Sequence, residues 1–177
     1  MEQRRTVYTL GYGGLSLDEL RSLVRGLGVD VVVDVRRWVK SYRRPEFSAE
    51  NLSGALRGMG VSYVWMPSLG GYRRFGVDVE DVGMARCFRS EGFRAYATYM
   101  LTSPEARGSL DELLRVCSAN TAMLLCRERF PYACHRKIIS DWLLYKGFTV
   151  VHVVPPRLIE HRYTRCARVV SGSLTYV

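Results

Sequence analysis

Five short apolar runs are spread along the chain, at Thr6 to Leu10, Val31 to Val33, Val61 to Met66, Thr121 to Leu125 and Phe148 to Val154. Segments of helical periodicity separate them, so the strands cannot be joined by hairpins. Between the first two runs, Ser16 and Glu19 have capping-box spacing and precede Leu20, Leu23, Val24 and Leu27 on one face. A second helix begins near Ser48, carries Leu52, Ala55, Leu56 and Met59, and stops at Gly60. Phe93, Tyr96 and Met100 mark a third. Ser103-Pro104 has the N-cap and N1 pattern of another start, and Ser109 with Glu112 reads as a second capping box. The last helix runs from about Cys134 to Lys146 with Ile138, Ile139 and Trp142 inward.

Crossover connections between buried strands predict a single α/β domain: a parallel-rich sheet of about five strands with helices on both faces, a Rossmann-like three-layer fold. The expected domain spans residues 1–154. Pro155-Pro156 stops the last strand, and 155–177 reads as a basic C-terminal tail. Residues 67 to 90 read as irregular and basic.

A hydrophobic fraction of 47% and a charged fraction of 24% exclude a disordered chain. At 177 residues, one domain that buries roughly 70% of its unfolded surface is expected. No apolar run reaches the ~20 residues of a membrane helix, and the polar start, Met1 to Thr6, has no secretory pattern. A cytoplasmic protein that does not engage membranes is the expectation. The five cysteines are then expected as free thiols. Net charge is +9, nearly all from arginine, which suits phosphate-bearing partners through its fork of donors.

In a parallel sheet the strand C-termini share one edge, where ligands bind. Gly11 to Gly14, Asp34 to Arg36, Cys126 and His152 all fall near such ends. The densest stretch runs from Cys126 through Glu128 to Cys134-His135-Arg136. A helix N-terminus at Cys134 supplies free N–H groups and partial positive charge, which bind anions and acidify thiols. Cys126 and Cys134 are therefore candidate thiols, with His135 and Glu128 as acid–base candidates, and Arg36 and Arg136 as anion clamps. Asp34 would position a hydroxyl or balance the arginines. The same residues also fit a structural reading, with both cysteines in the core and His135 capping the helix.

A phosphatase-type loop would place arginine six residues after the nucleophile, where Tyr132 stands. A zinc set drawn from Cys126, Cys134, His135 and His152 lacks close C-x2-C pairing, so no cofactor is expected and zinc is the minor alternative. Gly11 to Gly14 followed by Asp34 imitates a dinucleotide fingerprint, but Ser16 occupies the third glycine position. A tight turn at Gly11 and Tyr12 giving backbone access to a phosphate is the better reading. Arg36 to Arg44, which includes Ser41 and Arg43, interleaves cations with Trp38 and Tyr42, and Tyr72 to Phe75 echoes it. Such segments suit a phosphate backbone and stacked bases.

Thr9-Leu10-Gly11, Val33-Asp34-Val35-Arg36 with Ser41, Pro45 and Phe47, Leu69-Gly70-Gly71, and above all Cys126, Glu128, Pro131 and Cys134-His135-Arg136 carry a resemblance. By these motifs the chain resembles the domain of unknown function 488 family over about residues 6 to 154. The resemblance implies the fold and the site but supplies no reaction. Two positions depart from the family pattern: Tyr12-Gly13 stand where His-Ser is usual, and Val39 where Pro is usual. The reading that follows is an enzyme acting on a phosphorylated small molecule or nucleic acid through a Cys/His/Arg site. The rival is a nucleic-acid-binding module without catalysis, built on the arginine-rich loops.

Overall fold

The computed structural model describes residues 4–177. The order of elements is β1 (Thr6–Gly11), α1 (Leu17–Gly26), β2 (Val31–Asp34), α2 (Ala49–Arg57), β3 (Ser62–Trp65), α3 (Glu91–Thr102), α4 (Pro104–Ala119), β4 (Ala122–Cys126), α5 (Arg136–Tyr145), β5 (Thr149–Val154), β6 (Arg157–Glu160), β7 (Ala167–Val170) and β8 (Ser173–Tyr176). Six strands form one sheet in the order β3-β2-β4-β1-β5-β6, parallel except for the last pair. The expected single-domain, three-layer α/β architecture is the one found, with one strand more than the five apolar runs announce.

Strand pleating divides the core. Val32, Met123 and Leu125 face a core shared with Leu20 and Val24 of α1 and Leu52 and Leu56 of α2. Val31, Val33, Leu124 and Cys126 face the opposite core with α3, α4 and α5. This alternation puts the Cys126 side chain on the α5 side of the sheet. The loop after β1 leads to α1 on one face, and the loop after β4 leads to α5 on the other. Because β1 and β4 are neighbours, with Gly11 opposite Cys126, the two loops leave the C-terminal edge of the sheet side by side, next to the loop that follows β2.

Local signals act as their chemistry dictates, with one exception. Ser16 accepts from Glu19 N–H and the full capping box forms at α1. Ser103 Oγ accepts from Ala106 N–H and starts α4, which then runs unbroken to Ala119. Ser109 and Glu112 therefore lie inside a helix, and the second capping box is not one: the start at Pro104 leaves Ser109 in the second turn.

Residues 155–177 are structured. β6 pairs antiparallel with β5, and the β7–β8 hairpin buries Ala167, Leu174 and Tyr176 against α5 and α3 neighbours in the second core. Cys87 is disulfide-bonded to Cys166, which ties this region to the irregular 67–90 segment. The expectation of five free thiols is corrected for these two; Cys117, Cys126 and Cys134 are free. Among the described residues, no helix is long and apolar enough to cross a membrane.

Candidate active site

The loops after β1 and β4 are bonded backbone to backbone. Tyr12 N–H donates to the Cys126 carbonyl at 3.0 Å and Gly13 N–H to the Arg127 carbonyl at 2.9 Å. A Cβ on Gly11 would sit 1.7 Å from the Glu128 carbonyl oxygen, and one on Gly13 2.9 Å from that of Arg127. The glycine turn thus exists to let the 126–129 loop lie on it. That corrects the sequence reading at Gly11, whose backbone is covered by protein; Tyr12, Gly13 and Gly14 do line the cleft.

That cleft encloses about 530 Å³, within the usual range for small-molecule sites. Six Arg and Lys side chains line it against a single carboxylate, Glu128. Several cations are already committed. Arg36 forks onto Asp34 through Nε at 2.9 Å and Nη2 at 2.6 Å, and its Nη1 reaches the Tyr12 hydroxyl at 3.2 Å. Arg37 binds the Tyr72 carbonyl and Asp78. Arg44 donates to the carbonyls of Tyr12 and Leu15 and lies over the Phe47 ring. Lys40, Arg43 and Arg127 have no salt-bridge partner among the described residues and face the cleft. Ser41 also faces it, its Oγ accepting from Arg44 N–H in the turn that presents these cations. Trp38, Tyr42 and Tyr72 stand 64%, 83% and 63% exposed around the mouth, with the Trp38 and Tyr72 rings 5.8 Å apart and Lys40 over Tyr42.

Asp34 is wholly buried and holds Arg36 through both oxygens, with the Tyr63 hydroxyl also donating to Oδ2. It balances an arginine and does not meet the cleft. Arg136, expected as an anion clamp, is likewise wholly buried: Nη1 donates to Thr9 Oγ1 at 3.1 Å, Nη2 to the Glu128 carbonyl at 2.5 Å and Nε to Cys134 Sγ at 3.3 Å. Its charge acts on a sulfur from behind the site.

At the cleft floor lie Cys126 and His135, with the buried Cys134 sulfur within 4.8 Å of both. His135 opens α5 without capping it; Nε2 is bonded to the Val35 carbonyl at 2.8 Å, which turns Nδ1 toward Cys134 Sγ at 3.6 Å and Cys126 Sγ at 4.0 Å. Tyr96 meets the imidazole edge-on at 5.1 Å, and a Cβ on Gly71 would come within 2.8 Å of Nδ1, so the ring is confined on two sides. Cys126 Sγ donates to Glu128 Oε2 at 3.1 Å, and Glu128 Oε1 accepts from the Tyr72 hydroxyl at 3.0 Å.

The two thiols are driven apart. Burial opposes charge on Cys134, yet the neighbouring Cys126 thiol and the charges of His135 and Arg136 outweigh it and hold Cys134 well below the ordinary thiol value. The neighbouring Cys134 sulfur, with burial and the Glu128 carboxylate, pushes Cys126 up. Burial lowers His135, but the facing Cys134 sulfur raises it further, for a net rise. These shifts favour the charge on the Cys134 sulfur and on the His135 ring, and the proton on Cys126.

Cys126 Sγ, Cys134 Sγ and His135 Nδ1 lie within 4.8 Å of one another, three donors of the type a soft metal takes. The guanidinium 3.3 Å from Cys134 opposes a second positive charge there. His152, the fourth member of the sequence-based set, is turned elsewhere, bonded to Thr9 and His161. Asp141 and His161 are neighbours absent from the sequence reading, and Tyr72 and Tyr96 entered it only as part of a basic loop and of a helix face.

These features define a class: a three-layer α/β protein with a dithiol–imidazole cluster under a basic, aromatic-rimmed cleft. The chain belongs to the family described as domain of unknown function DUF488, which it matches over residues 16–143. That span includes Asp34, Arg36, Cys126, Glu128, Cys134 and His135, and stops short of the glycine turn and of His152. No curated protein and no solved structure matches the chain significantly.

Proposed function

We propose that this protein is an enzyme acting on a phosphate-bearing substrate, a nucleotide or a nucleic acid, at the Cys126–Cys134–His135 cluster. The observation that carries the reading is a thiol pair, Cys126 lining the cleft and Cys134 buried beside it next to His135 and Arg136, under the uncommitted cations Lys40, Arg43 and Arg127. Cys126 is the sulfur that faces the cleft and is the nucleophile in this reading. Its proton passes to the Cys134 thiolate as the sulfur–phosphorus bond forms and the phosphorus–oxygen bond to the leaving group breaks. The departing oxygen takes a proton from His135 Nδ1. Water then cleaves the sulfur–phosphorus bond, with Glu128 accepting its proton; the released Cys126 sulfur takes back its proton from Cys134, and the proton on Glu128 returns to His135. Lys40, Arg43 and Arg127 neutralise the phosphate, and the exposed aromatic rings stack on a base.

Phosphate release from a panel of phosphorylated nucleotides, measured with wild type, Cys126→Ala and His135→Ala, tests this. Turnover lost in both variants is the expected result; turnover retained in both overturns it. The exposed rings of Trp38, Tyr42 and Tyr72 favour a second reading, a nucleic-acid-binding module without catalysis. It predicts binding of single-stranded oligonucleotides that weakens steeply with salt. A Lys40→Ala/Arg43→Ala protein that binds unchanged would sink that reading.

A further inference from the structure

Arg136 and Asp141 are both wholly buried, one cationic and one anionic, and no carboxylate reaches Arg136 among the described residues. Four hydrogen bonds join them. Arg136 Nη1 donates to Thr9 Oγ1 at 3.1 Å, and the Thr9 hydroxyl meets His152 Nδ1 at 2.6 Å. His152 Nε2 lies 2.9 Å from His161 Nδ1, and His161 Nε2 lies 2.8 Å from Asp141 Oδ1. Thr164 N–H and the Tyr176 hydroxyl also donate to Asp141, at 2.8 and 2.9 Å.

One direction running through every bond satisfies all four contacts. In this direction His161 Nε2–H donates to the carboxylate and His161 Nδ1 accepts from His152 Nε2–H. His152 Nδ1 then accepts from Thr9, whose oxygen is free to accept from Arg136. We propose that Asp141, His161, His152 and Thr9 form a one-way chain that positions the Arg136 guanidinium against Cys134, making these four positioning residues of the cleft-floor site. The far end of the chain, from His161 to Tyr176, comes from the C-terminal segment, which in this way reaches the site without touching it. The inference rests on the Cys134 thiolate of the function proposed above.

Cysteine carbon-13 resonances, followed against pH in the full chain, report Cys134 apart from Cys117 and Cys126. Besides Arg136, the titratable groups around Cys134 are Cys126, Glu128, His135, Lys137 and Tyr96, and all remain in every variant. Thr9→Val and Asp141→Asn are expected to raise the Cys134 midpoint by about one pH unit, a tenfold loss of thiolate at fixed pH, and Thr9→Ser to restore it. A lowered melting temperature with an unmoved midpoint in both variants overturns the chain as a positioning device. Nitrogen-15 spectra of the wild-type histidines decide the matter if the variants do not fold: His152 protonated on Nε2 at neutral pH supports the chain, and protonation on Nδ1 overturns it. A wild-type Cys134 with an ordinary thiol midpoint overturns instead the thiolate reading on which the inference rests.

Discussion

His152 makes the stability of this protein depend on pH in a calculable way. Burial, with His161 and Arg136 nearby, pushes it down to about 3 in the folded protein, against about 6.5 in an unfolded chain. Between those values the unfolded chain binds a proton that the native protein refuses, so stability rises with pH across this window and falls on acidification below about 6.5. At about pH 4.5 the loss from this one group amounts to about 2.5 kcal/mol relative to neutrality, a large part of a typical domain stability. Urea unfolding followed by tryptophan fluorescence at the two pH values measures it. His152→Gln keeps a donor and an acceptor but cannot titrate. Carboxylates held low in the native state, such as Asp78, contribute equally to both proteins and cancel in the comparison. The expected result is an acid-induced loss smaller by about 2.5 kcal/mol in His152→Gln than in wild type, whatever the variant's stability at neutrality. Equal losses in the two proteins would refute the assignment of His152 as a buried neutral imidazole.

Gly71→Ala brings a Cβ within 2.8 Å of His135 Nδ1; the fold is expected to persist while the imidazole shifts and the Cys134 midpoint changes, read by the same cysteine titration. Reduction of Cys87–Cys166, which spans 79 residues, is expected to cost about 4 kcal/mol from the entropy regained by the unfolded chain, and melting with and without reductant checks it. Ser103→Ala removes the α4 cap and is expected to cost about 1 kcal/mol, whereas Ser109→Ala, inside the helix, is expected to cost almost nothing. Chemical denaturation of the two variants side by side decides this.

Local signals were sufficient wherever the deciding interaction is itself local. The valine run of β2, the capping box at Ser16 and the Gly60 stop act within a few residues, so periodicity and cap chemistry could be read directly. The convergence of Gly11, Asp34 and Cys126 on one sheet edge was legible for the same reason, because parallel strands must share an edge. The family motifs placed Cys126, Glu128, Cys134 and His135 in one neighbourhood.

Which of those side chains meets the cleft was decided only by packing. Arg36 and Arg136 are the same residue type at similar places, yet Arg36 reaches the cleft and Arg136 points behind it. The difference lies in partners 127 residues away for Thr9 and Arg136 and 143 for Thr9 and His152, distances at which no sequence period operates. The tail failed to read as structure because its strands are four residues each and β6 is exposed on every side chain, so they lack the apolar alternation that marks a half-buried strand. His161 and Cys166 acquire their roles only once that segment folds back on Asp141 and Cys87. The sequence by itself determined a parallel α/β sheet and the edge where its chemistry gathers, because chain connectivity and local hydrogen bonding dictate both. Tertiary structure alone decided which thiol bears the charge, because that depends on the cations, carboxylate and hydrogen bonds that distant segments bring to each sulfur.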